Sequence, residues 1–120
     1  MTLSITLVHL DAATGALGTR ELLHPPEGLA GFKSSRRDLW GAPIVVALGA
    51  RYLPRLRDGD LWVESADREG FRAECELLLA RLPAICAATG HEEEHVGLRL
   101  RNFVRAVDLA VQRGAALLID

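Results

Sequence analysis

The sequence predicts an α+β domain, in which a small sheet of about three or four strands is packed by two main amphipathic helices and includes a C-terminal strand. Three observations support this prediction. Within the segment Thr2 to Leu10, apolar and polar residues alternate up to Leu7, the period of two that a half-buried strand requires. Apolar residues recur at helical spacing near 71–82 and again near 92–113. The length of 120 residues suits a single domain over 1–120.

The first half of the chain is predicted to hold short elements separated by turn formers. After the first strand, Thr19 to His24 fits either a second strand or a turn of helix before Pro25-Pro26 stops it. Pro25 to Gly31 is predicted to be an irregular surface loop, and the stretch Pro25 to Lys33 leaves room for a ligand site. Leu61 to Glu64 is predicted to be a further short strand.

Helix starts are predicted from capping residues. Ser34-Ser35 offers an N-cap to a short helix from Arg36, and Pro43 suits the first turn of another. Ser65 is predicted to cap the first main helix, and Pro83 to end or kink it. The apolar face of this helix is predicted to consist of Phe71, Cys75, Leu78, Leu79 and Leu82.

The second main helix is predicted to run from about Glu92 to Arg113, with Gly114 ending it. Its buried residues are predicted to be Val96, Leu100, Phe103, Val104, Val107 and Val111. Ala115 to Ile119 is a short apolar run, which is most stable as a strand inside the sheet beside the first strand. The last helix and strand would therefore return the chain to its start.

Charge and composition narrow the classes of partner. The 14 basic and 16 acidic residues nearly cancel, so no global field favours nucleic acid or an anionic membrane, and we expect neither as a partner. No signal peptide and no apolar run of membrane-spanning length is recognised. Cys75 and Cys86 lie ~16 Å apart if the intervening segment is helical, which is too far for a disulfide. A cytoplasmic location is expected.

One catalytic pattern is present. His91-Glu92-Glu93-Glu94-His95 spells H-E-x-x-H, which in zinc peptidases places two imidazoles one helical turn apart with a general base between them. Its surroundings argue against this role, because His91 directly follows Gly90 at the helix start and the glutamates suit any exposed first turn. His9 or His24 could supply a third ligand only through the tertiary fold. We therefore expect no cofactor, and keep a small zinc-dependent hydrolase using His91 and His95 as the alternative.

The two tryptophans are assigned different environments. Trp62 lies in a short apolar strand and is predicted to be in the core. Trp40 stands between a charged turn and Gly41, and is predicted to be partly exposed near the loop, where it could anchor a partner.

From Trp40 onward the chain resembles small bacterial immunity proteins paired with polymorphic or contact-dependent toxins. The resemblance covers about two-thirds of the chain. The segments that carry it are Leu53-Pro54-Arg55-Leu56, Gly59 to Glu64, the acidic helix from Phe71, Leu100-Arg101-Asn102-Phe103 and Ala106 to Asp120. No catalytic residue is carried over.

The resemblance implies a protein that is not an enzyme and that binds and neutralises one cognate toxin domain. Acidic residues would suit a basic toxin, because complementary charge speeds encounter. The candidate partner-binding residues are therefore Glu92, Glu93, Glu94, Asp58, Asp60 and Trp40. A homodimer is also compatible with the sequence.

Overall fold

A computed structural model of the chain describes residues 2–11 and 13–120. The α+β class and the C-terminal strand are confirmed, and the sheet of the described residues has five strands rather than three or four. The strands are β1 (Thr2–Leu10), β2 (Leu17–Leu22), β3 (Leu29–Phe32), β4 (Leu61–Val63) and β5 (Ala115–Ile119). The α-helices are α1 (Pro43–Ala47), α2 (Arg68–Leu79), α3 (Leu82–Thr89) and α4 (Glu93–Arg113). Shorter helical turns cover Arg36–Trp40, which is π-helical, and Leu53–Arg57 and Ser65–Asp67, which are 3-10.

The sheet is antiparallel, with the order β2-β1-β5-β4. β5 lies beside β1 as predicted, with Ile5 opposite Ile119 and His9 opposite Ala115. All of β5 is buried, which explains its unbroken apolar sequence. β4 pairs only with β5 among the described strands, so it forms one edge of the sheet.

At the opposite edge of the sheet, β2 and β3 bear on two predictions, of which one was left open and one is wrong. Thr19 to His24, which fitted strand or helix, belongs mainly to β2, the hairpin partner of β1. The predicted loop Pro25 to Gly31 is too long, because its last residues belong to β3. β3 pairs with Thr2 to Ser4, the part of β1 that β2 does not reach. Isolated segments do not reveal this pairing, because the partner comes from elsewhere in the chain.

The helices pack on one face of the sheet, which we call the inner face. Leu3, Ile5 and Leu7 of β1 point to this face, α4 packs on it, and α2 packs against α4 in the same core. The rings of Phe71 and Phe103 pack edge to face, with their centroids 5.6 Å apart. α2 ends at Leu79 and α3 begins at Leu82, so the break predicted near Pro83 is present, but Leu82 of the predicted apolar face belongs to α3. None of the described helices is long and apolar enough to cross a membrane.

The predictions for the two tryptophans are both wrong. Trp40 is fully buried, its Nε1 donates to the carbonyl of Ala30 at 2.9 Å, and its ring packs against the edge of Phe103. Trp62 is only half-buried, because Leu61 and Val63 on either side of it point to the inner face. In β4 the alternation of the strand therefore puts Trp62 on the other, outer face.

Three further details differ from the predictions. Ser35 does not cap a helix, since its hydroxyl accepts a hydrogen bond from the backbone N–H of Phe32 at 3.1 Å. Ser65 opens a 3-10 turn and makes no side-chain cap. Val111 is exposed rather than buried, because it lies ~100° around α4 from Ala110, which occupies the buried face.

Candidate functional site

The topology places the predicted acidic residues toward the same end of the sheet. α4 turns directly into β5 at Gly114, so the start of α4 lies toward the end of the sheet where β5 finishes and β4 begins. Glu92, Glu93 and Glu94 stand at this start of α4, Asp60 directly precedes β4, and Asp58 lies two residues before Asp60. We call these five residues the acidic end.

The members of the acidic end differ in how free their carboxylates are. Glu92, Glu93 and Glu94 are exposed, and none forms an ion pair within the described part of the chain. Asp58 is exposed and likewise unpaired there. Asp60 accepts from the Arg36 guanidinium at 2.9 Å, so its charge is already matched. Trp40 is not a surface residue and leaves the candidate partner-binding set.

An aromatic stack borders the glutamates. The ring of His95 stacks on Phe32 with centroids 5.8 Å apart and on His91 at 6.0 Å. Phe32 is 51% exposed although it is a large apolar side chain. Glu92, Glu93 and Glu94 therefore adjoin an exposed aromatic surface to which β3 contributes Phe32, and the sequence showed only its two histidines.

The two histidines of the H-E-x-x-H pattern lie close together, with their rings stacked. His91 precedes α4, which begins at Glu93, so the pattern spans a helix start rather than a helix interior. Among the described residues, no cluster of three or more His, Cys, Asp or Glu side chains is placed to hold a metal ion. His9, considered as a third ligand, instead contacts Glu21 at 3.2 Å.

His95 is expected to titrate below its ordinary pKa of 6.5. Burial in the stack is the main cause of the lowered pKa, positive Arg99 and His91 add to it, and Glu92 opposes it. Because the unfolded chain then takes up this proton at higher pH than the folded chain, stability should fall as the pH drops through about 6.5.

An NMR titration of the imidazole protons checks this expectation. His95→Phe keeps an aromatic ring in the stack and should remove this part of the pH dependence of stability. A His95 pKa at or above 6.5 would contradict it.

A second surface feature lies on the outer face of the sheet. A cleft of about 600 Å³ opens there between the β1–β2 turn and the segment after β4, a size that suits ligand sites. Its floor is Ala116, whose small side chain leaves space at the centre of the sheet. Its walls are formed by Leu10, Gly15, Ala16, Leu17, Trp62, Glu64, Ser65 and Ala66.

Arg20 and Glu64 are charged side chains on this face. The guanidinium carbon of Arg20 lies 5.8 Å from the centroid of the Trp62 ring, a cation–π contact across the outer face. Glu64 is exposed at the cleft, and neither Arg20 nor Glu64 belongs to an ion pair of the described residues. Sequence reasoning missed this surface. The alternation of Leu61-Trp62-Val63 was the signal that could have indicated it.

Glu74 is the one buried carboxylate of the described chain. It accepts hydrogen bonds from the backbone N–H groups of Arg51, Tyr52 and Leu53, which begin the first 3-10 turn. All of its acceptor capacity is therefore directed at the backbone, and its role is structural. It lies on α2 between the apolar positions, where the sequence offered no reason to expect a buried charge.

Comparison with family models, with curated proteins and with solved structures finds no match for this chain.

Proposed function

We propose that this chain is a non-enzymatic, cytoplasmic partner-binding protein, of the immunity type that binds and neutralises a cognate bacterial toxin domain. The observation that carries the proposal is that Glu92, Glu93 and Glu94, exposed and without ion pairs in the described chain, adjoin the half-exposed ring of Phe32 through His95. The resemblance of the segments from Trp40 onward supports the choice of class.

This surface suits a basic partner for two physical reasons. Unpaired carboxylates at its rim attract a positively charged protein and raise the association rate. An exposed aromatic side chain beside them provides apolar area, and aromatic residues are enriched among the anchors of protein interfaces. Glu92, Glu93, Glu94 and Asp58 would supply the charge and Phe32 the anchor. Asp60 would contribute less, because Arg36 already neutralises it.

The alternative proposal is a small zinc-dependent hydrolase. Its support is the close approach of His91 and His95, with Glu92 beside them as the candidate general base. A metal site of this kind needs a third protein ligand. No third His, Cys, Asp or Glu side chain of the described residues is placed close enough to His91 and His95 to supply it.

The experiment that tests the proposal is co-expression with the product of the adjacent upstream gene, followed by size-exclusion chromatography. The proposal predicts one stoichiometric complex and relief of any toxicity that the upstream product causes alone. Separate migration of the two proteins without toxicity would remove the support for an immunity protein. Zinc that copurifies at about one equivalent and is lost in His95→Ala would favour the hydrolase instead.

Reversing the charge of the acidic end should slow association with the captured partner. For Glu92→Lys/Glu93→Lys/Glu94→Lys we expect the association rate constant to fall by at least about tenfold at low salt, with less effect at high salt. Stopped-flow or biosensor kinetics at two salt concentrations measure this.

A matched control is available for a single reversal. Glu69→Lys removes an exposed glutamate, without an ion pair among the described residues, from the first turn of α2. Glu93→Lys does the same in α4, so the two changes cost similar helix-dipole energy. Equal association rates for these two variants would take Glu93 out of the interface.

A further inference from the structure

No helix of the described residues packs on the outer face of the sheet, yet its centre is apolar. Thr6 and Val8 of β1 and Ala116 and Leu118 of β5 point to this face, and all four are buried. The bridge between Arg20 and Trp62 lies across this face, while Leu22 at its edge remains 53% exposed. Side chains at the edges of the face, Arg20 and Trp62 among them, already cover its centre, and a sheet face without a helix layer can complete its packing against a second sheet.

The residues of this face are arranged in two rows across the strands. The first row is Leu22, Thr6, Leu118 and Trp62, as the pairing of the four strands shows. The second row begins with Arg20, Val8 and Ala116, and Glu64 stands at its far end because it is the next residue after the last pair of β4 with β5. Each row thus begins at one sheet edge and ends at the other.

Under a two-fold rotation, each row becomes complementary to the same row of a second copy. A two-fold axis that lies between two such faces and runs along the boundary of β1 and β5 places β2 of one copy over β4 of the other. Arg20 then faces Glu64 of the second copy, and Leu22 faces Trp62 of the second copy. Both contacts occur twice, as a two-fold interface requires.

The cleft fits the same arrangement. The rotation carries Leu17, which is 60% exposed, to the side of the second copy's cleft that is lined by Glu64 and Ser65. An apolar side chain from each copy can therefore enter the space above Ala116 in the other. Pairing Arg20 with Glu64 also removes an uncompensated charge from each end of the interface, which is what makes burial of this face feasible.

We propose that the outer face binds a second copy of this chain, to form a symmetric dimer in which the two sheets pack face to face and the helices lie outside. The acidic end and Phe32 are not part of this contact, so this inference is independent of the proposed function. A dimer would carry two copies of the acidic end.

Sedimentation equilibrium of the full chain tests this from micromolar to millimolar concentration. We expect a species of twice the chain mass of 13.0 kDa. Arg20→Glu and Glu64→Arg, made separately, should each raise the dimer Kd by at least about tenfold, because each places like charges opposite one another. Combining the two changes restores opposite charges and should bring the Kd back near that of the unchanged protein.

The controls are Arg37→Glu and Glu69→Arg, which reverse exposed charges elsewhere that form no ion pair within the described chain, and they should leave the Kd unchanged. Three results would overturn the proposal. One is a monomer over the whole concentration range. Another is a dimer in which the double variant associates no better than the single variants. The third is a monomer whose outer face instead binds a different protein in a manner that Leu22→Asp abolishes.

Discussion

Replacing Glu74 with alanine is expected to lower the free energy of unfolding by about 3 kcal/mol, because it leaves several backbone N–H groups without their acceptor. The carboxylate of Glu74 accepts from Tyr52 at 3.0 Å, from Leu53 at 2.9 Å and from Arg51. It thereby satisfies the start of the Leu53–Arg57 turn from a neighbouring helix, which ties α2 to the segment before β4. Urea denaturation measures the change as a shift in midpoint.

Two control variants separate this role from a general effect of charge on α2. Glu74→Gln keeps one carbonyl oxygen and should lose less stability than Glu74→Ala. Glu76→Ala removes an exposed carboxylate that pairs with Arg72 on the same helix, and should cost less than about 1 kcal/mol. Equal urea midpoints for Glu74→Ala and Glu76→Ala would show that the hydrogen bonds of Glu74 to the backbone do not stabilise the fold.

Replacing Trp40 with alanine is expected to cost about 3–5 kcal/mol, the range for removing a large aromatic side chain from a core. Trp40 is fully buried, packs at 5.3 Å against the edge of Phe103 and donates its indole N–H to the Ala30 carbonyl. Its loss opens a cavity between β3 and α4 and leaves that carbonyl without its donor. Chemical denaturation followed by circular dichroism measures the effect.

Trp62→Ala is the matched control, and it should cost only about 1 kcal/mol, because Trp62 is half-buried and contributes mainly its contact with Arg20. The comparison is made at dilute protein, where association does not contribute to stability. Trp40→Phe retains most of the packing and should lie between the two alanine variants. A larger loss for Trp62→Ala than for Trp40→Ala would contradict the burial of these two side chains.

Most of the secondary structure followed from the spacing of apolar residues. The alternation in β1, the helical spacing in α2 and α4 and the apolar run of β5 were each read correctly, because each segment buries its own face. Short segments followed less well. β3 was predicted as loop, since four residues carry little periodicity and their strand geometry depends on pairing with Thr2 to Ser4.

The candidate site was predictable only in part. Glu92, Glu93 and Glu94 were correctly expected at an exposed helix start, because acidic residues favour the first turn. Phe32, which adjoins them, could not be found this way, because it lies far away in sequence and reaches His95 only through the fold. The ion pair between Asp60 and Arg36 could not be predicted for the same reason.

The sequence by itself determined the class of fold, the main strands and helices, and the exposed glutamates at the start of α4. Tertiary structure alone decided that Trp40 is buried and Trp62 only half-buried, that Glu74 binds backbone N–H groups, and that none of the described helices covers the outer face of the sheet. The physical reason is that periodicity shows which residues share a face of an element. Which of those faces another layer covers depends on contacts between segments that are distant in the chain.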